Sequence, residues 1–203
     1  MRLAAPRLAI QMLVAPALKA LASDYPRVTL DVRMVEHSGD LVSEGFDIGI
    51  QLGDRVAGDM IAVALTDRFT TAVVGSPVYF AGRHLPRHPA ELRSLPCIGC
   101  RSGPGGSLYR WTFERDGETV MVDVDGPLVT DDPDLMLAAA LDGIGLWHGV
   151  EQIARPLIAA GRLARVLEDW SPSYPGFQLC YAAGAPLAPA TRAVVDALRR
   201  QRR

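Results

Sequence analysis

The chain has 203 residues and is 49% hydrophobic, which is enough for one large α/β domain or for two lobes of about 100 residues each. Its formal net charge of −2 excludes the strongly basic character of a chain that binds nucleic acid directly. No segment approaches the roughly 20 apolar residues that cross a bilayer, and three cysteines, an odd number, do not fit a disulfide framework. We therefore expect a cytoplasmic protein.

The first predicted elements are a helix and two strands. Apolar residues recur at helical spacing over 10–21, and Tyr25 and Pro26 end this helix. Period-two alternation predicts a strand over 28–34, and a short helix is expected around 40–44. The next strand, GFDIGIQLG, has apolar even-numbered positions and a glycine on its other face, which is typical of a strand covered on both sides. Asp47 within it then needs hydrogen-bond partners.

The rest of the chain alternates strands with helices. Strands are predicted at 68–74, 96–101 and 127–130, and WTFERDGETVMV predicts a hairpin that turns at Asp116 and Gly117. A helix begins at the cap Asp132 with Pro133 next, and it ends at Gly143. The last elements are a strand GIGLW, a helix that stops near residue 161, strands at 162–167 and 177–182, and a helix to about residue 200. This order predicts an α/β fold with a largely parallel sheet.

Several motifs resemble chemical sites but fit structural roles better. Cys97 and Cys100 form a CxxC, yet residues three apart in a strand lie about 10 Å apart, whereas a disulfide needs Cα atoms within roughly 7 Å. Prolines break the helix that would align His84 and His88 for a metal. Neither a zinc site nor another metal site is expected.

Two glycine-rich stretches also fall short of nucleotide sites. GPGG at 103–106 lacks the Lys and Ser/Thr of a P-loop, and the glycines at 143–149 enter a strand instead of leaving one. No GxSxG or HExxH occurs. This lowers the odds of an enzyme without excluding one, because a triad assembled from distant residues leaves no local motif, and our expectation is a protein that is not an enzyme and has no cofactor. The closing RRQRR is interpreted as cations at a helix end, with a DNA or membrane tail as the alternative.

Several blocks occur in a familiar order: APAL, DYPRVTLDV, DLVSEGFDIGIQLGD, VVGSPVYFAGRHLPRHPAEL and the helix that enters GIGL. Over essentially the whole chain they resemble the effector-binding (substrate-binding) domain of LysR-type transcriptional regulators, most closely the glycine-cleavage-activator-like branch. The resemblance implies a two-lobed, type II periplasmic-binding-protein-like fold. Each lobe would be a mostly parallel sheet flanked by helices, two crossing strands would form a hinge, and a small-molecule effector would lie between the lobes.

The resemblance also implies a domain organisation and partners. Lobe I would take residues 1–72 and 173–203, and lobe II residues 73–172. The family's N-terminal winged helix-turn-helix and linker helix are expected to be absent from this chain, so DNA would be bound only through that other domain. A homodimer is expected, and a tetramer for a full-length regulator. A solute-binding protein of a transporter, or a small-molecule enzyme on the same fold, is the alternative.

The expected effector residues lie at strand ends and helix starts, where free N–H groups favour anions. Pro6, Arg7, Thr130 and Asp131 are predicted on this ground, because they lie where helices begin. The resemblance, carried over by position, implies a further set: His37, Gln51, Gly53, Arg101, Ser102, Trp147 and His148. Arg7 and Arg101 can fork a carboxylate, and Asp131 disfavours a doubly charged anion, so we expect a small carboxylate-bearing metabolite such as an amino acid. Where the family usually has Leu-Pro, this chain has Trp147, His148 and Gly149, which would give the pocket its own shape.

Overall fold

The computed structural model describes residues 1–35, 44–53, 60–102, 106–184 and 188–200. The chain forms two compact units, one made of Met1–Arg68 with Pro175–Arg203 and the other of Phe69–Tyr174. Most of the short helix predicted at 40–44 and most of the glycine-rich loop at 103–106 lie outside the described residues, as do the last three residues of RRQRR.

The elements of the described chain alternate along the sequence in the expected α/β manner. The strands are β1 (Arg2–Ala5), β2 (Asp31–Met34), β3 (Ile48–Leu52), β4 (Met60–Ala64), β5 (Phe69–Gly75), β6 (Ile98–Ser102), β7 (Ser107–Leu108), β8 (Trp111–Arg115), β9 (Glu118–Val122), β10 (Leu128–Thr130), β11 (Trp147–Val150), β12 (Ala164–Val166), β13 (Ser173–Tyr174) and β14 (Phe177–Ala182). The α-helices are α1 (Arg7–Ala9), α2 (Ala15–Asp24), α3 (Pro77–Phe80), α4 (Pro133–Leu141), α5 (Glu151–Ala159) and α6 (Pro189–Arg199).

Shorter helical turns complete this list. A π-helical segment, Ile10–Val14, joins α1 to α2, and 3-10 turns occupy Pro89–Ser94 and Glu168–Trp170. The π segment directly precedes Pro16, which has no N–H to donate and whose ring crowds the carbonyl four residues back. A widened turn at this point relieves that crowding, so the predicted first helix is confirmed as one helical segment with an irregular middle.

The first unit is built on a five-stranded sheet in the order β2-β1-β3-β14-β4. Strand β1 is parallel to β2 and β3, whereas β14 is antiparallel to β3 and to β4. Four strands therefore point one way and β14 runs against them, because it is the strand with which the chain returns from the second unit. The prediction of a mostly parallel sheet is correct for the strand directions but wrong for the two ladders that β14 makes.

The strand predicted at GFDIGIQLG corresponds to β3. Ile48, Gly49 and Ile50 are buried within it, as expected for a strand covered on both sides. Asp47 precedes the strand and is exposed, and its Oδ2 accepts a hydrogen bond from the Arg2 backbone N–H at 2.7 Å. The expected partner for this carboxylate is therefore the backbone of the neighbouring strand β1.

The second unit also contains a strand that runs against its neighbours. Strands β11, β12 and β13 all pair antiparallel with β5, and β6 pairs parallel with β10 and antiparallel with β7. The helix α5 connects β11 to β12 as in a parallel crossover, but β5 lies between these two strands and runs against both. Strands β10, β6, β11 and β12 therefore share one direction, since Cys97 and Leu146 make a parallel bridge between the segments that lead into β6 and β11. As in the first unit, the expectation of a mostly parallel sheet is correct for the strand directions but wrong for the ladders that β5 makes.

Local signals in the second unit are confirmed. Strands β8 and β9 form the predicted hairpin, and its turn residues Asp116 and Gly117 have φ of 50° and 84°, as a primed turn requires. Asp132 caps α4 and Gly143, with φ of 78°, follows its end. The strand predicted as GIGLW begins only at Trp147, since Leu146 makes a single parallel bridge to Cys97.

Candidate functional site

The second unit brings four predicted site residues together at one edge of a sheet. Strands β6 and β10 are parallel neighbours, with Thr130 opposite Cys100, so their carboxyl ends meet. Arg101 and Ser102 end β6, and Thr130 ends β10 with Asp131 next. Arg101 and Asp131 are exposed and Thr130 is half-buried, so this edge offers both a cation and hydrogen-bonding groups to a ligand. We call it the β6–β10 edge.

The helix α4 starts beside this edge, but its first N–H groups already have an acceptor. The Asp132 carboxylate accepts hydrogen bonds from the N–H groups of Asp134 at 2.9 Å and of Leu135 at 3.3 Å. The Thr130 Oγ1 accepts from the Asp132 N–H at 3.1 Å. An anion at this helix terminus would therefore compete with a carboxylate of the chain itself, which leaves Arg101 as the stronger anion-binding group of the edge.

Arg101 is held by a backbone acceptor. Its Nη1 donates to the Gly106 carbonyl at 2.7 Å, and its strand position pairs with Leu108 of β7. A carboxylate could replace that neutral carbonyl with a stronger, charge-assisted hydrogen bond. Burial, and then the charge of Asp131, raise the pKa of the Cys100 thiol at the same edge, so a negative field is present beside the cation.

The three cysteines are all free thiols. Cys97 and Cys180 are buried and Cys100 is half-buried. Burial raises the pKa of Cys97 to about 12 and that of Cys180 to about 11. The structural role expected for the CxxC fits these positions. In the part of the chain that the structure describes, no group of three or more His, Cys, Asp or Glu side chains could hold a metal.

The first unit gathers a second set of predicted residues. Strands β1 and β3 are parallel with Leu3 opposite Ile48, so the residues after both strands lie at one edge. Pro6 precedes α1 and Arg7 begins it, while Gln51 and Gly53 lie at the end of β3. All four are half-buried. His37 lies outside the described residues.

Gly53 and Gln51 are packed against the returning strand β14. Gln51 pairs with Gln178, and the Gly53 N–H donates to the Gly176 carbonyl at 3.0 Å. A Cβ at Gly53 would lie 2.6 Å from Nε2 of Gln178, so only glycine fits here without movement of that side chain. Gln178 therefore belongs to this edge, although the sequence offered no local signal for it.

Trp147 and His148 point to opposite faces of β11, as neighbours in a strand must. Trp147 is 5% exposed and packs in a core cluster with Val74 and Ile98. A Cβ at Gly149 would lie 2.0 Å from the Trp147 ring, so glycine makes room for the indole. Trp147 therefore has the environment of a core residue, and its predicted role in effector binding stays a prediction.

His148 lies among aromatic rings on the other face. Its ring centroid is 5.2 Å from that of Trp111, 5.6 Å from that of Phe113 and 6.3 Å from that of Tyr109. Its Nε2 is buried and has no hydrogen-bond partner within the part of the chain that the structure describes. Burial lowers the pKa of His148 to about 4, so the imidazole is neutral at neutral pH.

A family model decides what this two-unit fold is. The model of the LysR substrate-binding domain matches residues 1–203. The chain belongs to this family. Among relatives, HTH-type transcriptional regulator PgrR of Escherichia coli is 33% identical over 85% of this chain and 58% of its own length. A Pseudomonas aeruginosa protein whose provisional name calls it a transcriptional regulator is 41% identical over 92% of this chain and 61% of its own length.

The LysR substrate-binding domain described here thus spans about three fifths of these curated relatives, whose matched shares are 61% and 58%. Solved structures agree with its fold. The regulatory domain of AphB from Vibrio vulnificus superposes with a TM-score of 0.85 at 21% identity, covering 98% of this chain and 96% of that one. CrgA from Neisseria meningitidis, a LysR-type transcriptional regulator, gives 0.83 at 20% identity, covering 99% and 67%.

These likenesses confirm the predicted type II periplasmic-binding-protein-like fold of LysR-type regulatory domains. They do not distinguish the glycine-cleavage-activator-like branch, which stays a prediction. Among the described residues, no helix has both the length and the apolar character needed to cross a membrane.

Proposed function

We propose that this chain is the ligand-sensing regulatory domain of a LysR-type transcriptional regulator and that it binds a small carboxylate-bearing effector. The β6–β10 edge is the observation that carries the proposal, because Arg101 and Thr130 lie at the carboxyl ends of adjacent parallel strands. Ligands of open α/β sheets bind beyond such ends. Family membership supports a sensing role, and a relative named as an HTH-type transcriptional regulator supports its regulatory context.

The effector class follows from the charges of this edge. Arg101 supplies one cation to a carboxylate, while Asp131 and the capping Asp132 oppose a second negative charge. A ligand that carries one carboxylate and a neutral or positive remainder fits both conditions. Pro6, Arg7, Gln51 and Gly53 of the first unit stay in the proposed set, since they lie at an equivalent edge of their own sheet.

Regulation would follow from a difference in effector affinity between conformations. An effector that favours one conformation by about 1 to 3 kcal/mol changes affinity at a distant site by roughly 5- to 150-fold. We propose that a homodimer of this domain passes that change to the DNA-binding part of a full-length regulator.

A thermal-shift and calorimetric screen against amino acids and small monocarboxylates tests the proposal. A ligand at 100 times its dissociation constant should stabilise the domain by about 2.7 kcal/mol, which raises Tm by several degrees. Arg101→Ala should weaken a hit at least tenfold. Arg110→Ala is the matched control, because Arg110 is an exposed arginine of the same unit that pairs with Asp123 at 2.7 Å. Equal affinity in both variants would refute the role of Arg101.

A further inference from the structure

Three aromatic rings surround His148 in the second unit, and we call Tyr109, Trp111, Phe113 and His148 the aromatic box. Trp111 and Phe113 are each 1% exposed, so they form a fixed inner wall. Tyr109 is 39% exposed, and its ring lies nearly parallel to the imidazole, with 11° between the planes. The box therefore has one wall that reaches solvent and can move without disturbing the core.

The buried Nε2 of His148 is the unexplained group in this box. Among the described residues it has no hydrogen-bond partner, although buried polar atoms are nearly always paired because an unmade hydrogen bond is costly. A neutral imidazole nitrogen needs one partner, either a donor or an acceptor according to its tautomer. Natural proteins keep such a group where it has a use, and a bound ligand would supply the missing partner.

The aromatic box adjoins the β6–β10 edge through the backbone. The Tyr109 N–H donates to the Cys100 carbonyl at 2.8 Å, and Cys100 is paired with Thr130. The residue before Tyr109 is paired with Arg101. Within this unit, the movable ring therefore lies next to the residues that would bind a carboxylate, so one small molecule could use both.

We propose that the effector is an aromatic carboxylic acid whose flat ring stacks on Tyr109 and lies in the plane of the His148 imidazole, so that a ring hydroxyl bonds Nε2 of His148 in that plane. The inference rests on the function proposed above, because its carboxylate would bind at Arg101. Tyr109 is the ring that moves on binding. A side-chain hydrogen bond joins it to Tyr174, so binding exchanges that contact for the ligand. The flat face of an aromatic ring matches the aromatic walls better than a puckered ring does.

Four probes separate this inference from the proposed function: acetate, cyclohexanecarboxylate, benzoate and 3-hydroxybenzoate, titrated into the domain by calorimetry at pH 7. Benzoate should bind about fivefold tighter than cyclohexanecarboxylate, and the hydroxyl should add about another fivefold. Cyclohexanecarboxylate binding as tightly as both aromatic acids would overturn the aromatic site and leave the carboxylate site standing. No binding by any of the four probes would overturn the aromatic site, while an amino acid that binds in the screen described above would leave the carboxylate site standing.

Two variants test the residues directly. Tyr109→Ala and His148→Leu should each weaken 3-hydroxybenzoate about tenfold, whereas Met121→Ala, which removes a 51% exposed side chain from β9, should not change its affinity. His148→Leu should also raise the Tm of the ligand-free domain by about 3 °C, because it removes an unpaired polar atom from the interior.

A structural role alone would not give a variant that is more stable and yet binds less well. An unchanged affinity in His148→Leu and Tyr109→Ala would overturn the inference. If leucine leaves the domain poorly folded, His148→Phe fills the same position with a ring that lacks Nε2 and carries the same expectation.

Discussion

Replacement of Arg165 by methionine should lower the free energy of unfolding of this domain by about 3 kcal/mol. The Arg165 guanidinium donates to the Thr71 carbonyl at 3.2 Å and to the Ser171 hydroxyl at 3.0 Å, and it lies 3.4 Å from the Glu151 carboxylate. The side chains of Arg165 and Glu151 are only 15% and 19% exposed. Removal of one partner of a buried ion pair costs about 3 to 5 kcal/mol. The lower end of this range applies here, because the Glu151 carboxylate keeps its ion pair with Arg155 when Arg165 is replaced.

The chain contains a matched control for this change. Arg155 contacts the same Oε1 of Glu151 at 3.1 Å, but its side chain is 69% exposed. Arg155→Met should therefore cost less than about 0.5 kcal/mol, as exposed pairs do. Urea denaturation followed by tryptophan fluorescence gives both values from the midpoint and slope of each curve. Equal losses in the two variants would refute the claim that burial makes the Arg165 contacts strong.

Three further changes have signs that the structure determines. Burial lowers the pKa of His148 from 6.5 to about 4, so between pH 7 and pH 5 the unfolded chain takes up a proton at this imidazole that the folded chain does not. The free energy of unfolding should therefore fall by about 2 kcal/mol from pH 7 to pH 5, and by less in His148→Leu. Urea denaturation curves at both pH values would show this difference. Asp132→Ala should cost about 1 kcal/mol by loss of the α4 cap, and Asp132→Asn should cost less than half as much in the same assay. Gly126→Ala would place a Cβ 2.1 Å from the Cys97 carbonyl oxygen and should cost at least about 2 kcal/mol, read as a lower calorimetric Tm; an unchanged Tm would contradict it.

The elements that the sequence predicted best are those with signals confined to a few neighbouring residues. Asp132, Pro133 and Gly143 define both ends of α4, because capping and chain reversal depend on the chemistry of single residues. The hairpin turn at Asp116 and Gly117 is equally local. These features would form in the same way in many different folds.

Strand pairing could not be predicted, because it depends on residues far apart in the chain. Strand β1 is the four-residue stretch RLAA, whose two alanines have low strand propensity, yet it is an interior strand of its sheet, between β2 and β3. Strand β4 has as its paired neighbour β14, more than 100 residues later. No local sequence pattern indicates that β5 lies between β11 and β12 in the sheet.

The candidate site could be predicted only in part, because it too depends on contacts between residues far apart in the chain. Arg101 and Thr130 were selected separately, and only the register of β6 with β10 brings them to one edge. The residues that surround His148 come from β8 and from the segment before it, so His148 alone gave no sign of an aromatic environment. Trp147 was assigned to the pocket by position, but alternation along β11 turns it into the core.

The burial of the thiols has a consequence for oxidative stress. A cysteine reports peroxide when its thiolate is both populated and accessible, which requires a lowered pKa. Here burial raises the pKa of Cys97 to about 12 and of Cys180 to about 11, and the pKa of Cys100 is raised as well. All three sulfurs are thus mainly protonated thiols at neutral pH and react slowly with peroxide, so none of them has the properties of an oxidant-sensing cysteine.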